Sequence, residues 1–93
     1  MIVSFVDRRT EELFRRGVVR GLDARIQTVA LRKLRMLDAA VRLDDLRVPP
    51  GNRLEALRGD RAGQHSIRVN DQWRIVFVWR DGQAERVGIV DHH

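Results

Sequence analysis

The second half of the chain is rich in arginine, and the spacing of these residues gives them a chemical meaning. Arg58, Arg61, Arg68, Arg74 and Arg80 all fall within "LRGDRAGQHSIRVNDQWRIVFVWR". A guanidinium is planar, permanently charged and able to give two parallel N–H bonds to a phosphate. Converging arginines can therefore grip a phosphodiester and stabilise charge that builds on it. Whether they converge depends on strand register. Pairing Val69 with Trp73 across "NDQ" sets Ile67 opposite Ile75 and Arg68 opposite Arg74, whereas a two-residue loop would mix apolar and polar faces. Extending the pairing across "GDRAG", with Arg58 opposite Gln64, puts Arg58 on the side of Ser66 and Arg68. Like charges directly across a strand pair repel unless an anion lies between them, so this face is the expected phosphate site. The alternative is that the guanidinium groups splay into water or pair with Glu85 and Asp91.

The elements that must position these residues follow from periodicity. "IVSF" at Ile2–Phe5 is a short β-rich run, and Asp7 or Thr10 can cap a helix through "TEELFRRG", which Gly17 ends. A second helix is expected from near Asp23 to about Ala40. Ile26, Val29, Ala30, Leu34 and Leu37 recur on one face, with Arg25, Arg32, Lys33 and Arg35 opposite. "RVPPGNR" at 47–53 breaks the pattern, because Pro49 and Pro50 lack backbone donors. Beyond it the period becomes two: "RLEALR", "QHSIRVN", "WRIVFVWR" and "AERVGIVDHH" read as strands separated by "GDRAG", "DQ" and "DG" turns. The expected fold is α+β, in the order β-α-α-β-β-β-β, with two helices on one face of a mainly antiparallel sheet. Ile67, Val69, Trp73, Ile75, Phe77 and Trp79 then form the core face. Aromatic residues make up only 5% of the chain, which argues against a base-stacking platform. His65, opposite Phe77, is expected to be structural.

Length and composition narrow the classes further. The 93 residues are expected to form a single domain, and 43% hydrophobic with 33% charged residues is a globular balance. The net charge of +5 favours phosphate-bearing partners through counterion release, and Lys33 is the only lysine. With no cysteine, the fold has neither disulfides nor thiolate metal sites. Apolar runs are much shorter than the ~20 residues of a membrane helix, and "MIVSFVDRR" places its charges after its apolar run, the reverse of a secretory leader. No membrane association and a cytoplasmic location are expected. No histidine–carboxylate cluster has metal-ligand spacing, and no glycine-rich phosphate loop precedes a helix, so neither a metal nor a cofactor is expected.

The run "NRLEALRGDRAGQHSIRVNDQWRIVFVWRDG", with "SFVDRRTEELFRRG" before it and a terminal "VDHH", resembles the HigB branch of RelE/ParE-like toxins over nearly the whole chain. The resemblance implies a RelE-like fold. It also implies the toxin of a type II toxin–antitoxin pair, a ribosome-dependent mRNA interferase that enters the small subunit and cuts the message there. Implied partners are a HigA-like helix-turn-helix antitoxin, the ribosomal small subunit and mRNA, with operator DNA reached only through the antitoxin. Carried over position by position, the basic residue of the Leu-Lys/Arg-Gly-Asp motif is Arg58, the basic loop residue is Arg61, and the sheet arginines are Arg68 and Arg74. The C-terminal acid and imidazole positions are Asp91, His92 and His93. This chain departs from the family in having no tyrosine, with His65 and His92 at places where the family often has one. Glu55 stands where some members have histidine.

The chemistry so implied is attack of a 2′-hydroxyl on the adjacent phosphate. It needs a base, charge stabilisation on the phosphorane and a proton for the leaving oxygen. Arginine serves the second need but holds its own proton too tightly for the others, which pass to Asp91, His92, His93 or Glu55. A two-residue "DG" hairpin puts Asp91 and His93 on the arginine face. The family position favours His92, and a bulge would reverse the parity. A terminal tail without a role is the alternative for the two histidines. Arg61, set between Gly59 and Gly63, and Arg80 complete the expected RNA-binding set. Two other readings use the same fold without catalysis: a ParE-like toxin that inhibits DNA gyrase, and a basic RNA-binding module acting by charge alone.

Overall fold

The computed structural model describes residues 1–91. Two helices, α1 (Arg8–Arg16) and α2 (Ala24–Ala39), precede four strands: β1 (Glu55–Ala56), β2 (His65–Arg68), β3 (Trp73–Arg80) and β4 (Gln83–Asp91). The strands form one antiparallel sheet in the order β1-β2-β3-β4, and both helices pack against its inner face. Among the described residues no helix is long and apolar enough to cross a membrane.

Both helices begin and end on the residues that the chemistry of caps requires. The Asp7 carboxylate accepts the N–H of Thr10 at 2.7 Å, and Gly17 closes α1 at φ 84°, donating its N–H to the Leu13 carbonyl. Asp23 caps α2 and pairs with Arg25, and that hydrogen-bonded partner holds its carboxyl below the usual range. Ile26, Ala30, Leu34 and Leu37 are buried against Ile67, Ile75, Phe77, Val87 and Ile89 of the sheet. One member of the expected polar face of α2 is different. Arg25, Arg32 and Arg35 are exposed, but Lys33 is buried and donates to Oδ1 of the fully buried Asn52. Burial lowers the Lys33 pKa, and Arg32 adds to the effect. Asn52 donates in turn to the Leu46 carbonyl at 3.0 Å, so this polar pin holds the segment after α2 against the helix.

The β-rich opening does not become a full strand. Ile2 and Phe5 make isolated parallel bridges to Ala84 and Val87, along the free edge of β4. "RLEALR" likewise contributes only the two residues of β1. The β2–β3 register is as the hydrophobic pattern requires, with Ile67 opposite Ile75 and Arg68 opposite Arg74. Asn70 shapes the intervening turn by accepting the N–H groups of Gln72 and Trp73, both at 2.8 Å. Asp81 and Gly82, at φ 53° and 77°, form the two-residue turn between β3 and β4. A bulge then shifts the β3–β4 register between Val76 and Val78, with Arg86 at φ 54°. The shift sends both Val87 and Ile89 inward, where each is at most 1% exposed.

Candidate functional site

Arg74 is the most firmly held of the expected arginines. It is 6% exposed; its Nε donates to Ser66 Oγ at 2.8 Å, and its Nη2 donates to the Arg53 carbonyl at 2.7 Å and, more weakly, to the Ser66 carbonyl at 3.4 Å. Burial lowers its pKa; Glu55 opposes the shift, while Arg68 and Arg53 reinforce it. These partners are a hydroxyl and two carbonyls, so the buried cation is hydrogen-bonded without being neutralised. An anion reaching it would meet charge in a partly dry setting. Arg68, directly opposite, avoids its like-charged neighbour by turning its guanidinium to Asp71. The two arginines therefore share a face but diverge at their tips.

Arg58 reaches the site by a different route from the expected one. The β1–β2 register sets Glu55 opposite Ser66, and the Leu57 N–H bonds to the Gln64 carbonyl at 2.9 Å, so Arg58 is not opposite Gln64. One residue of slip would send Arg58 to the core face if the strand continued. It does not continue. A single turn over Gly59–Arg61 follows and brings Arg58 and Arg61 to the rim of a cavity of 310 Å³, lined also by Leu57, Ser66, Arg74, Val76, Val90 and Asp91. Both loop arginines are exposed.

The bulge corrects the parity of β4. Val90 stands opposite Arg74 on the arginine face, while Asp91, expected on that face, stands opposite Trp73. Asp91 still lines the cavity, and its Oδ2 accepts from Gln72 Nε2 at 3.0 Å. The end of β4 is fixed from below: Thr10 Oγ1 accepts the Ile89 N–H at 3.1 Å, while Arg9 donates to the Ile89 carbonyl and lies 5.9 Å from the Trp73 ring centre. The expectations for His92 and His93 lie outside the described residues.

Other expected residues are set apart. Arg80 does not line the cavity; it lies beside the β3–β4 turn, 3.8 Å from Glu85. His65 stacks on Phe77 with ring centres 6.2 Å apart, on the inner side. Glu55 is exposed on β1 and acts on Arg74 through its charge. Among the described residues no group of three or more His, Cys, Asp or Glu side chains could hold a metal. Three supporting groups carry no clear sequence signal as such: the Arg53 carbonyl, the Gln72 amide and the Lys33–Asn52 pin. Ser66 could have been found, since strand parity already placed it beside Arg68. The cavity thus offers fixed positive charge, two exposed arginines, a carboxylate and an apolar wall of Leu57, Val76 and Val90. That combination suits a nucleotide, with phosphate on the guanidinium groups and sugar or base on the wall.

Known proteins resemble the chain in sequence and in fold. The family model for the HigB-like toxin, described as the RelE-like toxin of type II toxin–antitoxin system HigB, matches residues 3–93. The chain is 44% identical over 85 residues to Toxin HigB-1 of Vibrio cholerae, covering 90% of each sequence. It is 34% identical over 97 residues to Endoribonuclease HigB of Proteus vulgaris, covering 100% of both. Among solved structures, a conserved hypothetical protein of Helicobacter pylori superposes with a TM-score of 0.53 at 15% identity, over 96% of this chain and 94% of the other. YafQ of E. coli superposes with a TM-score of 0.51 at 16% identity, over 95% and 92%. At such identities the structural likeness establishes the fold alone.

Proposed function

The chain belongs to the HigB-like family of RelE-like toxins of type II toxin–antitoxin systems, and from that premise we propose that it is an endoribonuclease that cuts messenger RNA on the ribosome. The observation that carries the reading is the buried Arg74, hydrogen-bonded but not neutralised, in the wall of a cavity that Arg58, Arg61 and Asp91 also line. In the proposed reaction the 2′-hydroxyl of the bound nucleotide attacks the adjacent phosphorus as the bond to the 5′-oxygen breaks. Arg74, with Arg58, stabilises the charge on the phosphorane, and no metal is required. Asp91, His92 and His93 are the proposed proton-transfer groups: one takes the 2′-hydroxyl proton and another gives one to the departing 5′-oxygen. Arg61 and Arg68 bind flanking phosphate. Membership of a two-component family implies an antitoxin. We assign it as a HigA-like helix-turn-helix protein, with operator DNA reached only through it, and the small ribosomal subunit and message as cytoplasmic partners.

The test is a translation reaction on programmed ribosomes in which message ends are mapped for the wild type, for Arg74→Ala and for a chain lacking its last three residues. Defined cleavage by the wild type, lost in both variants, is the expected result. Intact messages together with blocked DNA supercoiling by gyrase would sink the proposal.

A further inference from the structure

Arg74 is a wall common to two cavities. The second, of 290 Å³, opens beside the β2–β3 turn and is lined by Arg53, Glu55, Arg68, Asn70, Asp71 and Arg74. Three arginines and two acidic residues therefore share its lining. Arg68 has a side chain only 33% exposed, but its ion-pair partner Asp71 is 97% exposed on the turn. A pair with one fully hydrated member contributes little, so an anion offering several oxygens and releasing counterions can displace the carboxylate while Arg68 stays in place. Asp71 is, in effect, an internal anion held over the site. Glu55 remains in the wall and opposes a dianion, which favours a singly charged diester over a terminal phosphate.

We propose that this second cavity binds the phosphodiester of the nucleotide next to the one in the first cavity, on the same RNA strand, and that Asp71 occupies the site as an intramolecular competitor in the free protein. The proposal rests on the endoribonuclease reading and adds a site that spans strands β1 to β3.

Its test is binding of 2′-O-methyl RNA, which lacks the attacking hydroxyl, to the full chain without ribosomes. A mononucleotide and a trinucleotide are titrated against the wild type and four variants. Arg68→Gln and Asp71→Asn act on the site. Arg35→Gln, on the exposed face of α2, and Asp81→Asn, on the β3–β4 turn, make the same charge changes elsewhere. The trinucleotide should bind the wild type more tightly than the mononucleotide. Arg68→Gln should abolish that advantage, and Asp71→Asn should raise trinucleotide affinity about five-fold, with the mononucleotide unchanged. The proposal is overturned if Arg68→Gln weakens both ligands equally, or if Asp71→Asn gains no more than Asp81→Asn. Mononucleotide binding without a trinucleotide advantage, or no binding of either ligand, defeats this proposal alone; the endoribonuclease reading fails only if programmed ribosomes leave the message intact.

Discussion

Arg74 and the Arg58–Arg61 turn line the same cavity and are held in opposite ways. Arg74 leaves a central strand, is 6% exposed and has its guanidinium bonded to Ser66 and Arg53 before any ligand arrives. Arg58 precedes a single turn, Arg61 ends it, and both are exposed. A fixed, partly desolvated charge stabilises a developing anion without having to reorganise, which is where transition-state stabilisation comes from. An exposed arginine adds attraction that is screened by water and salt, and it can follow the ligand. The difference suggests a division of labour: the strand supplies most of the rate, and the turn supplies mainly affinity with a smaller share of the rate through Arg58.

Replacing one residue on each side tests that division directly, and the largest effect is expected at the strand. Arg74→Ala should lower the single-turnover cleavage rate by about 100-fold or more. It should also cost about 1–3 kcal/mol of stability, because the Ser66 hydroxyl and Arg53 carbonyl lose their donor, measurable by urea unfolding. Arg58→Ala should reduce cleavage about ten-fold, mainly by weakening RNA binding as salt rises, with stability unchanged within about 0.5 kcal/mol. Equal losses of rate at both positions, or a stability cost at Arg58, would erase the contrast. Ser66→Ala sharpens it: the charge remains but loses its Nε partner, so a fall of about five- to ten-fold in rate with unchanged substrate affinity is expected.

The same contrast explains what was legible in the sequence. The register that sets Arg68 against Arg74 follows from alternation over β2 and β3, because both strands must turn Ile67, Ile75 and Phe77 to the core. Helix limits were equally legible, since Asp7, Gly17 and Asp23 are chemically suited to caps. Alternation fails where strands are short or bulged. β1 has two residues, so the turn after it, rather than any face, decides where Arg58 goes. On β4 a single residue, Arg86, reverses the parity of all that follow and puts Val90, instead of Asp91, on the face of Arg74. The need to bury Val87 and Ile89 as well as Ala84 is the physical cause, and it emerges only once the opposing strand is in place. Lys33 was misassigned for a related reason: its partner Asn52 lies 19 residues away, beyond any local period.

Acidification offers a smaller test of how the strand side is supported. Asp45 accepts the N–H groups of Arg42 and Val41 at 2.9 Å, and these bonds hold its carboxyl below the usual range. Its folded pKa lies below the unfolded one, so its contribution is present above the unfolded pKa and is lost as the pH falls through the folded value. Asp45 begins the segment that ends at the Arg53 carbonyl on Arg74. Asp45→Asn should therefore lower the melting temperature near neutrality and flatten its decline between about pH 5 and pH 3. A melting curve with an undiminished acid decline would mean that this segment is held by the Lys33–Asn52 pin alone.

The smallest effect is expected at Arg80, which shares the outer face of β3 with Arg74 but lies at its far end, exposed and 3.8 Å from Glu85. Arg80→Gln removes one unit of charge from the whole molecule and none from either cavity. Long-range attraction at physiological salt is screened beyond about 8 Å, so cleavage on ribosomes should change by no more than about two-fold. The slope of RNA affinity against salt should likewise fall by much less than the ~0.9 expected for losing one phosphate contact. A loss matching that of Arg58→Ala would instead extend the RNA track along the length of β3. The distinction that matters would then run between the two ends of a strand and not between a buried arginine and an exposed pair.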